Sequence, residues 1–280
     1  MPRSDAHIAV AAALLVSAAS AQTTRPERVV SINLCTDQLA MMLADEGQLL
    51  SVSYIALDPL TSAMVEEAGK YDINYGLAEE IYLMEPDLVL AGTWSSPATL
   101  GMLERLGIPV ALFDSANTLE EVDDKILQMG EVLGRQEVAA EMAEAYNSRL
   151  ASFRAEVADR PRAALYYANG YTLGDSSLAG QILLAAGFDN VAAEVGMPYG
   201  GTMPLEVLAL SNPDAILTSE PYPGASRSES ILQHPVVTGL RDRLADAAVT
   251  DRDWVCGTPF VLDAIERTAE MRRAVEEARP

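Results

Sequence analysis

Histidine, cysteine and basic residues are all scarce in this 280-residue chain, and each scarcity removes a class of function. There are two histidines, His7 and His234, and two cysteines, Cys35 and Cys256. A zinc site of the usual kind needs several His or Cys ligands, so that set is missing. Nineteen basic side chains stand against 41 acidic ones, a formal charge of −22. This balance argues against nucleic-acid binding, which uses basic patches to displace counterions. It favours cationic or neutral ligands over polyanions. No apolar run approaches the roughly 20 residues of a membrane-spanning helix. The sequences G-x-S-x-G, Walker A, G-x-G-x-x-G and H-E-x-x-H are absent as well. A thiolate at Cys35 would have to recruit His234, which sits between Gln233 and Pro235 in a capping or surface setting. The remaining carboxylates read as helix-surface charge, and no pair stands out as catalytic.

The first residues read as an export signal. Arg3 supplies a positive start, Ile8 to Val16 an apolar stretch, and Ala19-Ser20-Ala21 a small-residue cleavage site before Gln22. Removal of residues 1–21 takes away Arg3 and Asp5 together, one charge of each sign, so the balance of −22 is kept. It also removes His7. No cysteine follows the cleavage site directly, so there is no lipid-anchor signal, and a soluble periplasmic protein is expected. In an oxidising compartment the two cysteines are a disulfide candidate.

The pattern Glu-x6-Pro-Asp-x-[Val/Ile]-Leu occurs twice, from Glu79 to Leu90 and from Glu206 to Leu217, 127 residues apart. Each copy reads as a short helix, a turn forced by Pro86 or Pro213, and a buried strand. The surroundings repeat too. A strand at Arg28–Ile32, a turn at Asn33–Asp37 and a helix from Gln38 to Leu43 open the first half. Further strands are expected at Leu50–Ser53, Asp87–Ala91 and Ile108–Phe113. The second half restarts with a strand at Ala163–Tyr167, a loop at Asn169–Gly174 and a helix at Ser177–Ala186. A loop at Glu220–Ser230, a short strand at Ala247–Thr250 and an amphipathic helix from Phe260 complete it. Between the halves, Ile126, Met129, Val132 and Leu133 keep a helical stripe, Gly134 interrupts, and helix resumes over Glu137–Ala158.

Strands alternating with helices give an α/β fold with parallel sheets. The boundaries are a signal at 1–21, an N-terminal lobe at 22–117, a helical connector at 118–160 and a C-terminal lobe at 161–280. Ligands of open α/β sheets sit beyond the carboxyl ends of the strands. The expected cleft residues are therefore Asn33, Cys35, Thr36, Asp37, Tyr54 and Trp94 from the first half. Tyr171, Tyr199, Arg227, Trp254 and Cys256 come from the second. Aromatic walls with a few polar anchors suit a large, partly apolar ligand.

With RVVSINLCTDQL at 28–39, EPDLVLAGTW and NPDAILTSEP in the two copies, and DWVCGTP at 253–259, the chain resembles a known family. It is similar to the periplasmic substrate-binding proteins of ABC importers for cobalamin, ferric siderophores and haem, over roughly residues 30–277. The resemblance implies two α/β lobes joined by one long helix, with a cleft that changes little on ligand binding. It implies a permease partner, no catalysis, and a cargo rather than an intrinsic cofactor. It also implies docking of the permease by Glu79 and Glu206, with Glu80 an adjacent competitor. Phe260 after Pro259, where many relatives carry a basic residue, points away from a strongly anionic ferric siderophore. The expected order of cargo is a cobalamin-like corrinoid, then a ferric siderophore, then haem. By the same resemblance Cys35 and Cys256 lie in turns on opposite lobes, either bridged or as two free thiols facing ligand. The rival class is a periplasmic enzyme or assembly factor that reuses the fold.

Overall fold

The structure is a computed structural model that describes residues 25–153, 159–219, 224, 226–242, 245–248 and 251–278. The export signal expected at 1–21 lies outside the described residues. The first half runs β1 (Val29–Ser31), α1 (Leu34–Leu43), β2 (Leu49–Ser53), α2 (Val65–Ala68), β3 (Asp72–Asn74), α3 (Ala78–Leu83), β4 (Leu88–Gly92), α4 (Pro97–Arg105) and β5 (Val110–Phe113). Its five parallel strands lie in the order β3-β2-β1-β4-β5. Two helices follow, α5 (Glu121–Leu133) and α6 (Gln136–Phe153). The second half contains β6 (Arg162–Leu165), β7 (Tyr171–Thr172), α7 (Leu178–Ala185), β8 (Asp189–Asn190), α8 (Val191–Glu194), β9 (Gly201–Thr202), α9 (Leu205–Ser211), β10 (Ala215–Thr218), α10 (Pro235–Arg241), β11 (Ala245–Ala248) and α11 (Val261–Ala278). Its main sheet is also parallel, in the order β11-β10-β6-β8, while β7 and β9 form a small antiparallel pair.

The sequence repeat is a structural unit in both halves. Pro86 and Pro213 end α3 and α9, and the residues before them, Glu85 and Asn212, take left-handed backbone with φ 49° and 43°. The aspartates then turn back onto the first strand of their own sheet. Arg28 N–H donates to the Asp87 carboxylate at 3.0 Å, and Arg162 N–H donates to Asp214 at 2.8 Å. The same arginines close the helix ends with their side chains. Arg28 Nε donates to Glu85 O at 2.9 Å, and Arg162 Nη1 donates to Ser211 O at 2.8 Å. A guanidinium on terminal carbonyls satisfies acceptors the helix leaves open and suits the negative end of its dipole. From this clamp the strands pair in the same register, Val29 with Leu88 and Ala163 with Ala215.

The connector is a helix pair whose long member is α6. Gly134 at φ 70° ends α5, and a Cβ on Gly130 would lie 2.2 Å from that of Ala139, so glycine lets the two helices approach. Tyr146 of α6 is buried and donates its hydroxyl to Leu119 O at 2.7 Å. One apolar core runs from Val29 and Leu90 through Ile126, Met129 and Ala143 to Leu165, Leu217 and Ile265. Two expected edges move, and four short strands are added. Helix α1 starts at Leu34, because Asn33 caps it by accepting from Cys35 N at 3.0 Å. The strand expected at 247–250 is β11 at 245–248, and 249–250 lie outside the described residues. Strands β3, β7, β8 and β9, two or three residues each, leave too short a pattern to read.

Candidate functional site

In both parallel sheets the order in which strands are added reverses beside the first strand, and each reversal opens a crevice at the strand ends. In the first sheet this point lies between β1 and β4. Beyond β1 come Asn33 and, in the first turn of α1, Cys35 and Thr36; at and beyond the end of β4 come Gly92 and Trp94. All five line one small hollow of about 50 Å³, with Phe113, Asp114, Lys125 and, from the other half, Val255 and Gly257. A Cβ on Gly92 would sit 2.8 Å from Asn33 Nδ2, so the two loops meet only because residue 92 has no side chain. In the second sheet the reversal lies between β6 and β10. There Tyr167, Ala168 and Tyr171 face Ser219, Ser226 and Ser228 around a hollow of about 670 Å³. Ser177, Glu229, Trp254 and Val255 line it as well, with Leu173, Leu178 and Ala179 supplying an apolar wall.

Residues 253–258 join the two hollows. Cys256 forms a disulfide with Cys35, with Cα atoms 5.1 Å apart, so the α1 start is bonded to the opposite half. The alternative of two free thiols is excluded. Beside the bridge, a Cβ on Gly257 would lie 2.3 Å from that of Ala116, which shows how closely the halves touch here. Asp253 is buried and paired with Arg267 of α11, and Arg252 lies 3.7 Å away. Trp254, 5% exposed, packs edge-on against Tyr167 with ring centroids 6.4 Å apart. The segment is thus pinned by an ion pair, a ring contact and a covalent bond.

The expected cleft residues divide into three groups, and Cys256, buried in the bridge, lines neither hollow. Asn33, Cys35, Thr36 and Trp94 line the small hollow, and Tyr171 and Trp254 line the large one. Tyr54 and Tyr199 are exposed outside both hollows; Tyr54 stacks on Tyr75 at 5.4 Å. Arg227 is exposed and lines neither, although Ser226 and Ser228 beside it line the large one. Asp37 is fully buried in the first lobe and lines neither hollow. Its carboxylate accepts from Ser53 Oγ, and burial pushes its pKa up to about 6. Tyr167 and Ser219 were missed, although Ser219 directly follows β10 and Tyr167 lies two residues past the end of β6, so the strand-end rule could have found them. Lys125 comes from α5 and has no local signal. Among the described residues it is the only cationic side chain lining these two hollows.

The two repeat glutamates lie away from the hollows. Glu79 and Glu206 are exposed in the first turns of α3 and α9. Glu80 is occupied: its carboxylate accepts from Leu77 N at 3.0 Å and from Tyr75 N. Neither Glu79 nor Glu206 forms a hydrogen bond or ion pair among the described residues.

Residues 29–241 match the family model described as periplasmic binding protein. A "Cobalamin-binding protein" of Halobacterium salinarum is 28% identical over 200 residues, 70% of this chain and 54% of that protein. The chain thus spans about half the length of that relative. A "Vitamin B12-binding protein" of Vibrio vulnificus is 26% identical over 277 residues, 95% of this chain and 97% of the relative. Among solved structures, a periplasmic haem-binding protein of Roseiflexus superposes with a TM-score of 0.72 at 20% identity, covering 88% of this chain and 99% of that one. A likeness at that identity speaks for the two-lobed α/β fold alone.

Proposed function

The chain belongs to the periplasmic binding protein family, and from that premise we propose that it captures a corrinoid-like metal chelate between its lobes and delivers it to an ABC-importer permease. The observation that carries the reading is the large hollow at the β6/β10 reversal. Its volume of about 670 Å³ is that of a small-molecule site. Tyr167, Tyr171 and Trp254 offer ring faces to an apolar macrocycle, and Ser219, Ser226 and Ser228 offer hydroxyls to an amide fringe. A ligand too large for this hollow extends over the disulfide toward Asn33 and Trp94 on the first lobe. The cobalamin- and vitamin B12-binding names of the two sequence relatives support the same class of cargo.

A haem reading has one observation in its favour: the half-exposed phenol of Tyr171 in the same hollow, which could ligate ferric iron. In either reading the chain binds rather than catalyses. It acts as an exported monomer after loss of residues 1–21, with lobes 22–117 and 161–280 on either side of the connector 118–160. Glu79 and Glu206 dock the permease, two carboxylates held on one rigid body that set its orientation on a basic partner.

The absorption spectrum of the protein purified from its native host separates the ligands. Corrinoid bands are expected. A colourless protein that binds neither corrinoid, haem nor ferric chelate overturns the reading. For delivery, charge reversal as Glu79→Lys with Glu206→Lys abolishes most uptake and leaves ligand affinity intact. Uptake at the normal rate removes the docking assignment.

A further inference from the structure

The two copies of the repeat share five residues over twelve positions: Glu79/Glu206, Leu83/Leu210, Pro86/Pro213, Asp87/Asp214 and Leu90/Leu217. The fold accounts for three of these pairs. The prolines end the helices, the aspartates hold the first strand, and Leu90 and Leu217 are fully buried in the sheets. The other two pairs have no such account. The glutamates are exposed, and Leu83 and Leu210 are 80% and 85% exposed, the two most exposed leucines among the described residues. In each copy the leucine lies four residues after the glutamate on the same helix, so carboxylate and isobutyl group share one face. Tyr75, Leu77 and Tyr82, all more than half exposed, widen the first of these patches.

We propose that Leu83 and Leu210 are apolar anchors of the permease-docking surface, each seated in a hydrophobic recess beside the basic group that pairs with the neighbouring glutamate. This rests on the docking reading above and adds to it a partner chemistry: two recesses, each cationic at one side and apolar at the other. Charge complementarity selects this occupant over a second copy of the chain, because two such faces would bring like carboxylates together on a molecule of charge −22. The arrangement has a physical rationale. An apolar residue next to an interfacial ion pair excludes water from it, and the pair gains strength as the local dielectric falls.

The test uses the ABC permease complex that restores uptake with this protein, held in lipid nanodiscs, and measures binding of the full mature chain across a range of salt. Leu83→Ser with Leu210→Ser is expected to weaken binding by at least about 100-fold, the loss set by two buried leucines. The affinity for cargo stays unchanged. Glu79→Gln with Glu206→Gln weakens binding and flattens the salt dependence. Because both leucines are exposed, the variant keeps the wild-type melting temperature. If the leucine variant binds like wild type while the glutamate variant is weakened, the anchor inference is overturned and docking stands. If neither variant is weakened, the docking reading falls and the inference with it. A wild-type dimer in sedimentation that the leucine variant abolishes assigns the face to a second copy and also overturns the inference.

Discussion

Asp37 shows how one residue's place depends on where a helix begins. Its sequence neighbours Asn33, Cys35 and Thr36 line the cleft, and Asp37 was expected beside them. Asn33 caps the helix, however, so Asp37 lies a full turn inside it and points into the core. No period in so short a segment distinguishes those two starts. Burial raises its pKa from 3.8 to about 6. Between these values the folded state holds a proton that the unfolded state has released, so this carboxyl's contribution to stability falls as pH rises through the window. The shift corresponds to about 3 kcal/mol. Denaturation of Asp37→Asn against wild type at pH 4 and pH 7 is expected to show the variant gaining relative stability at the higher pH. A difference independent of pH would mean that Asp37 ionises freely. At Gly257, where a Cβ would meet Ala116, substitution to Ala is expected to cost about 1–3 kcal/mol in the same assay.

At the scale of elements, the Glu-x6-Pro-Asp repeat was the most legible part of the chain, and the clamp behind it the least. Proline and the buried run that follows dictate the helix end and the strand locally. The arginines that receive the turn, Arg28 and Arg162, lie more than 50 residues away and show no partner until the strands pair. Asp87→Ala and Asp214→Ala each remove the acceptor for a strand N–H, and each is expected to cost about 1–3 kcal/mol. Melting curves check this directly, and an unchanged transition in both variants would make the clamp ornamental. The connector was legible as helix because its apolar stripe keeps the helical period. Its division at Gly134 was legible too, since glycine supplies the left-handed cap. The larger hollow was half legible: Tyr171 and Trp254 follow from aromatic loops, whereas Ser219, Ser226 and Ser228 sit in a Pro/Gly/Ser-rich stretch that reads as a plain connection.

At the scale of the molecule, two sheets built on one plan meet over a covalent joint. The Cys35–Cys256 bridge closes a loop of 221 residues, worth about 5 kcal/mol on the chain-entropy argument and less where native strain offsets it. The variant Cys35→Ser with Cys256→Ser is expected to lose several kcal/mol of stability in urea, with a smaller loss if the bridge strains the native state. An equal midpoint for oxidised and reduced protein would show that the packing between Gly257 and Ala116 suffices alone. The sequence left the bridge open because pairing depends on where the two lobes lie, and no local pattern encodes that. The central claim concerns cargo, and a calorimetric titration of the purified mature chain with cyanocobalamin, hemin and a ferric hydroxamate tests it most directly. One-to-one saturable binding of cyanocobalamin, tighter than either rival and at least about tenfold weaker in Trp254→Ala, is the expected result. No saturation with cyanocobalamin, or tighter binding of hemin, would contradict it.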